Sequence, residues 1–314
     1  MFILRDILLP LQDHFSETTL GRERASLFVY TILSVIVPFT SSMTSNVWRC
    51  LDTLFGFEIK NKNKRFYTFM ASSTLPWSGL WKTVWGLIPS PETDGRILVA
   101  LDDSISTKVG KKIFGCETVF DHAAKSNQCK YPWAQNIVSV GLLKQIKGRW
   151  ACLFLDFRFY LPLKTIQAKK ETATIRGEVI PFQTKMTQAG TMLIGIAEHY
   201  SSCPILAVTD SWFGNNGLWK PVYNAIGNRF NILSRLRCNN VLYDRPEKRK
   251  KGQRGRNKKY GQRLGSATEM AKTVQKEAKS YTVNLYGKQR AVRAYGCVGF
   301  CRKYCWKCRK PSLQ

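Results

Sequence analysis

The sequence predicts an α/β protein, with a helical N-terminal domain followed by a mixed sheet with flanking helices that is incomplete at the C-terminus. Three observations predict it. Residues 1–92 show helical periodicity and no strand pattern. Beyond residue 95 strand-like and helix-like stretches alternate. Two apolar runs, Ile97–Leu101 and Pro204–Thr209, have strand length, are apolar on both faces as buried strands are, and each leads into an aspartate, Asp102 and Asp210.

Size and composition bound the possibilities. A chain of 314 residues with 44% apolar and 12% aromatic side chains can bury one large or two ordinary cores, which excludes a disordered tail. Charge is the outlier. Lys and Arg number 49 against 21 Asp and Glu, for a formal net charge of +28. Beyond Asp210 there are 25 Lys and Arg and only four acids, Asp244, Glu247, Glu269 and Glu277. Such an imbalance repels itself and points to a polyanionic partner. The basic residues are interleaved with Gly and Asn and show no amphipathic period, so nucleic acid is expected rather than membrane. Asp6 interrupts any secretory signal, and the apolar stretch Leu27–Phe39 is too short to span a bilayer. Cys50, Cys116, Cys129, Cys152, Cys203 and Cys238 lack paired spacing and read as reduced, mostly buried thiols of a cytosolic protein. His14, His122 and His199 are isolated and read as structural or surface residues.

Within residues 1–92, Leu27–Phe39 reads as a core helix ended by the polar break Thr40-Ser41-Ser42. A second helix would carry Val47, Trp48, Leu51, Leu54 and Phe55 on one face. Helix, polar turn, helix is compatible with a helix-turn-helix DNA reader and equally with any small bundle. Trp77, Trp81 and Trp85 recur at i, i+4 and i+8, a stripe expected to pack in the core. The turn-rich Ser90–Gly95 marks a boundary.

Residues 93–244 form the second expected domain. After the strand ending at Asp102 come strands Ile137–Leu143 and Ala151–Tyr160, with Lys147-Gly148 as a hairpin turn between them. A helix near Lys185–Tyr200, the strand into Asp210, a helix near Leu218–Ile226 and the strand Phe230–Leu233 follow. This β-β-β-α-β-α-β order describes an RNase H-like core, whose first and fourth strands are parallel neighbours. Asp102 is therefore expected beside Asp210. Converging carboxylates raise each other's pKa unless a cation lies between them. The plainer reading is that Asp ends many strands because it starts turns. Asp103 competes with Asp102, but consecutive strand side chains point to opposite faces, so only one can face a metal. Asp102 directly ends the apolar run and is preferred.

Residues 245–290 read as a basic insertion that contacts DNA. Its stretch 245–263 holds ten basic residues and one acid and is expected to be extended or disordered. Lys248, Arg249, Lys250, Lys251, Arg254, Arg256, Lys258 and Lys259 are expected on phosphates, together with Lys108, Lys111 and Lys112. Residues 291–314 form a Cys-rich tail of different character.

Four stretches together resemble the insertion-sequence DDE transposases, in their DDE-superfamily endonuclease branch. They are Leu101-Asp102-Asp103-Ser104 with Lys108–Gly115 behind it, Phe157-Arg158-Phe159-Tyr160-Leu161-Pro162, Thr209-Asp210-Ser211-Trp212-Phe213-Gly214-Asn215, and Gly255–Gly261. Their order and spacing follow the family from about residue 95 to 290. The resemblance implies metal-dependent phosphodiester hydrolysis and strand transfer at element ends. Three carboxylates would hold two divalent ions, Mg²⁺ or Mn²⁺, with Asp102 as the first acid and Asp210 as the second. It also implies double-stranded DNA partners (element ends and target), a homodimer or higher assembly on DNA, no membrane, and a cytoplasmic, nucleoid-associated location.

The chain departs from that family in one respect. The family's third acid lies in a Tyr-x2-Arg-x3-Glu-x6-Lys pattern, and no such spacing occurs. Glu269 and Glu277, on a plausible short helix, are the only late substitutes in that stretch. Cys297, Cys301, Cys305 and Cys308 then crowd the tail. Their spacing is cramped for zinc, and although the last three match an iron–sulfur spacing, they stand at the wrong end of the chain. The tail reads as the out-of-frame end of a broken gene. The listed acids then predict a transposase defective in catalysis; the alternative is a non-catalytic remnant that occupies or inhibits element ends.

Overall fold

A computed structural model describes residues 3–36, 43–55, 62–72, 75–110, 112–168, 174–175, 178–247, 252, 254–285, 287–296 and 299–301. The chain divides into two compact units, Met1–Pro91 with Pro162–Phe182, and Glu92–Leu161 with Gln183–Gln314.

The first unit is helical. A π-helical turn, Ile3–Leu8, runs into α1 (Leu9–Gln12), and α2 (Thr19–Ile36), α3 (Thr44–Phe55), α4 (Lys62–Met70) and α5 (Trp77–Gly86) follow. Leu27, Val47, Leu51, Phe66 and Phe69 form one core, and Leu8, Leu11, Val29 and Leu80 a second. The expected face of α3 is thus half right: Val47 and Leu51 are buried, but Leu54 is exposed, and the Phe55 side chain and Thr40–Ser42 lie outside the described residues. The tryptophan stripe also needs correcting. Trp85 is buried but Trp77 is 48% exposed, because α5 turns Leu80 and Val84 into the core instead. Spacing alone gives the period of a buried stripe but not its phase.

The second unit is built on one mixed sheet. Strands β1 (Ile97–Thr107), β2 (Glu117–Thr118), β3 (Trp133–Ile146) and β4 (Arg149–Tyr160) come first. The turn between β3 and β4 is Lys147-Gly148, with φ of 49° and 75°. Positive φ at both positions matches the twist of the flanking strands and explains the short hairpin. Next along the chain, α6 (Leu163–Ala168) and the short strands β5 (Thr174–Ile175) and β6 (Glu178–Val179) are elements of the first unit. The second unit resumes with α7 (Lys185–His199), β7 (Ile205–Thr209), α8 (Asn216–Ile226) and β8 (Phe230–Ser234).

The sheet order is β2-β3-β1-β7-β8, with β4 pairing β3. β1 runs antiparallel to β3 and parallel to β7, and β7 runs parallel to β8. This is the RNase H-like arrangement expected from the element order. Ile97, Val99 and Leu101 of β1, Val138, Val140 and Leu142 of β3, and Ile205 and Ala207 of β7 are almost fully buried. They share the face on which α7 packs against β3 and β4 and α8 against β8, with the two helices packed on each other. Thr184 caps α7 by accepting from the Thr187 N–H, and Asn215 caps α8 through Gly217. No helix among the described residues is long and apolar enough to cross a membrane.

Beyond β8 lie β9 (Val241–Tyr243), β10 (Arg263–Ser266), α9 (Ala267–Thr273), β11 (Lys279–Leu285), β12 (Lys288–Ala294) and β13 (Phe300–Cys301). β9, β10 and β13 form a small sheet, and β11 pairs only with β12. Of the six scattered cysteines only Cys50, Cys116 and Cys203 are buried, fewer than expected. Burial of α7 dominates the helix layer, so Leu193→Ala, at a fully buried position, is expected to cost about 2–5 kcal/mol. Urea unfolding checks this, and a loss below about 1 kcal/mol would mean that α7 is not packed as described.

Candidate active site

Register places the two acids. Leu101 lies opposite Thr209 in the parallel β1–β7 pair. The next residues, Asp102 and Asp210, are therefore side by side on one face of the sheet, where the β1–β7 pairing stops. It is the face opposite to α7 and α8, since Leu101 and Thr209 point toward the helices. β1 does not end at Asp102 as expected but runs on to Thr107, because its other edge stays paired with β3. Strand ends at this edge are where open α/β sheets place their ligands.

Asp102 feels its neighbour. Desolvation by the surrounding sheet pushes its carboxyl above the usual value, and the charges of Asp103 and Asp210 push it further up. A hydrogen bond from the Asp103 N–H to Oδ1, at 2.8 Å, offsets part of this. Like charge at short range is the electrostatic mark of a cation site.

Asp210 is held by the turn that follows it. Its Oδ1 accepts from the Trp212 and Phe213 N–H groups, both at 2.9 Å. Its backbone carbonyl accepts from Ser234 Oγ at 2.6 Å and from the Gly214 N–H at 3.1 Å. A Cβ on Gly214 would lie 1.9 Å from Ser234 Oγ, so this position needs glycine. Asn215 closes the turn, donating to the Trp212 carbonyl at 2.5 Å while capping α8. The motif Thr-Asp-Ser-Trp-Phe-Gly-Asn is thus a device for fixing one carboxylate.

Asp103 points the other way. Its Oδ2 accepts from Lys185 Nζ at 2.5 Å and from Asn136 Nδ2 at 3.0 Å. Lys185 also lies over the rings of Tyr160 and Trp212, 5.3 and 5.7 Å from their centroids. This polar layer beneath the acid pair joins β1, β3, β4, α7 and the Asp210 turn. Sequence reading missed Lys185, Asn136 and Ser234. A signal for Lys185 existed: a lysine in the first turn of a helix opposes the helix dipole and calls for a compensating acid.

The late acids do not join the pair. Glu269 is the N3 residue of a capping box with Ser266 and pairs with Arg263 at 2.8 Å, and these bonds hold its carboxyl below the usual range. Glu277 lies past the end of α9. Among the described residues no three His, Cys, Asp or Glu form a group able to hold a metal. His14 bonds Thr83, while His122 and His199 pack edge-on against Phe120 and Tyr200. Cys301 is buried in the small sheet, and Cys297, Cys305 and Cys308 lie outside the described residues.

Of the expected phosphate contacts, Lys112, Arg254, Arg256, Lys258 and Lys259 are exposed and Lys108 is half-buried. Lys111 and residues 248–251 lie outside the described residues. The basic loop is closed at its base, where the Asp244 N–H donates to the Gln262 carbonyl and the Gly261 N–H to the Asp244 carbonyl.

An RNase H-like sheet with an acid midway along its first strand beside an acid just past the end of the parallel neighbour defines a class, the nucleic-acid-cutting enzymes of this fold. Comparison narrows it: residues 40–295 match the model of the DDE superfamily endonuclease family, and the chain belongs to that family, a DDE transposase-type domain. Neither the curated proteins nor the solved structures contain a match.

Ionised Asp102 opposes folding, because its pKa in the fold lies above the ordinary 3.8. The fold is relieved of this penalty when the group protonates, below its raised pKa, and bears it fully above. Asp102→Asn should therefore raise the thermal midpoint at neutral pH in metal-free buffer, by a small amount because solvent screens the exposed group. The gain should vanish as pH falls through the raised value toward the ordinary one. Equal midpoints for the two proteins at neutral pH would refute the penalty that desolvation and neighbouring charge place on ionised Asp102.

Proposed function

We propose that the chain is a DNA transposase that uses Asp102 and Asp210 to hold a divalent cation, Mg²⁺ or Mn²⁺, against a DNA phosphodiester. The observation that carries this is the register of β1 and β7, which sets Asp102, midway along β1, beside Asp210, just past the end of β7. Their chemistry fits such an ion. The donors are carboxylate oxygens only, as hard cations prefer, and Mg²⁺ typically takes one or two carboxylates and completes its shell with water and phosphate. The desolvation and neighbouring negative charge that raise the Asp102 pKa are what a cation beside it would offset. When bound, the ion supplies Lewis-acid stabilisation of the phosphodiester and lowers the pKa of bound water.

The protein's own residues supply position. Asp210 is oriented by the Trp212 and Phe213 N–H groups. Asp103 is committed to Lys185 and Asn136, so Asp102 is the first acid. Lys108, Lys111, Lys112 and the basic residues of 245–263 draw the phosphate backbone to the site. In this reading the first unit contributes DNA reading, strand transfer follows cleavage, the chain works as a dimer or higher assembly on DNA, and it resides in the cytoplasm at the nucleoid.

A second reading has one observation behind it, the lack of a third acid beside Asp102 and Asp210 among the described residues. In it the chain binds element ends without cutting them. Nicking of supercoiled plasmid by the full chain separates the two. The first reading expects nicking that needs Mg²⁺ or Mn²⁺ and falls at least about 100-fold in Asp210→Ala. Salt-sensitive DNA binding with no nicking in either metal would overturn it in favour of the second.

A further inference from the structure

The hairpin β11–β12 has no part in the site described. Seven consecutive pairs, from Lys279 opposite Ala294 to Leu285 opposite Lys288, make an antiparallel ribbon that joins no other sheet. Only Val283 and Val292 are even half-buried; the rest of both strands is exposed. An isolated two-stranded ribbon is marginal in water, so packing does not explain its persistence. Among the described residues Arg293 ties it to the body of its unit, its Nη2 donating to the Gln275 carbonyl at 2.6 Å.

Its two faces differ. Partners across an antiparallel pair share a face. One face therefore carries Lys279, Tyr281, Val283, Leu285, Lys288, Arg290, Val292 and Ala294. The other carries Ser280, Thr282 and Asn284 opposite Arg293, Ala291 and Gln289. The strands hold four cations and no acid. Exposed Asn, Gln, Ser and Thr in one row, with small Ala291 among them, are the side chains that hydrogen-bond base edges and meet thymine methyls. A two-stranded ribbon is also of a width that the major groove of B-DNA admits, about 12 Å.

We infer that the β11–β12 ribbon enters the major groove of duplex DNA with the Thr282, Asn284 and Gln289 face against base edges, while the long side chains of Lys279, Lys288 and Arg290, on the outward face, extend past the ribbon's edges to the phosphates that flank the groove. This rests on the reading of the chain as a DNA-acting enzyme and adds to it a sequence-reading element separate from the carboxylates. Charge selects duplex DNA as the occupant, since a protein partner would need a matching acidic surface and would not use an uncharged polar row.

The test uses the full chain and two ribbon variants, whose exposed positions leave the fold intact as checked by thermal midpoint. In selection from a pool of random-sequence duplexes, wild type is expected to enrich a motif. Asn284→Ala with Gln289→Ala should lose that motif at two or three adjacent base pairs, with affinity for unselected duplex changed less than about twofold. Lys288→Ala with Arg290→Ala should instead weaken binding to all duplexes and make the log–log salt slope shallower by about 1.8, two phosphates' worth. Lys288→Arg with Arg290→Lys should keep the slope. An unchanged motif in the first variant, an unchanged slope in the second, or no motif for wild type overturns the inference. Plasmid nicking, read separately with Asp210→Ala, shows whether the catalytic reading stands when the ribbon inference fails.

Discussion

The parallel pairing of β1 with β7 is the constraint on which the rest of the catalytic unit depends. Its register, Leu101 opposite Thr209, decides that two acids far apart in sequence leave the sheet as neighbours. A slip of one residue would send Asp102 and Asp210 to opposite faces, because side chains alternate along a strand. The buried face resists such a slip. Val99, Leu101, Ile205 and Ala207 are nearly or fully inaccessible, and turning them outward would exchange an apolar core for an exposed one. Hydrophobic burial on the helix side thus fixes electrostatics on the other side.

That electrostatic arrangement is layered. Above the sheet two carboxylates repel, and desolvation adds to the penalty. Below it the adjacent carboxylate of Asp103 is neutralised by Lys185, which in turn lies between Tyr160 and Trp212. The sheet separates an acid that is available from one that is committed. The Asp210 turn links the layers, since Trp212 gives its N–H to Asp210 and its ring to Lys185. Around this small acidic site the chain is strongly basic, as suits a protein that brings a polyanion to a cation site.

Much of this was legible in the residues. Fully apolar strands announce themselves as unbroken runs, so β7 and the first half of β1 could be read directly, and Lys147-Gly148 marked its hairpin; the polar second half of β1, from Asp102 to Thr107, could not. Alternation along the strand already assigned Asp102 and Asp103 to different faces. What could not be read was partnership across the fold. Nothing local ties Lys185 to Asp103, 82 positions away, or Ser234 to Asp210. Helix phase was also ambiguous: Trp77, Trp81 and Trp85 have a buried period, yet α5 buries Leu80 and Trp85 and leaves Trp77 out. The ribbon escaped notice although Tyr281, Val283 and Leu285 alternate with Ser280, Thr282 and Asn284, because β12 carries no matching alternation to suggest a partner strand.

Parallel strands cannot be joined by a tight turn. Between Asp102 and Asp210 the chain must make two antiparallel strands, visit the first unit through α6, and cross back over the sheet in α7 before β7 can dock. Closing so large a loop is slow, and its entropic cost falls due before the pairing repays it. On the ribosome, β1 would emerge and pair with β3, and β3 with β4, while the other edge of β1 still waited for β7. The acid pair would exist only once more than two thirds of the chain had been made, so a nascent or prematurely terminated polypeptide could bind DNA through its early basic residues without yet owning a place to put a metal.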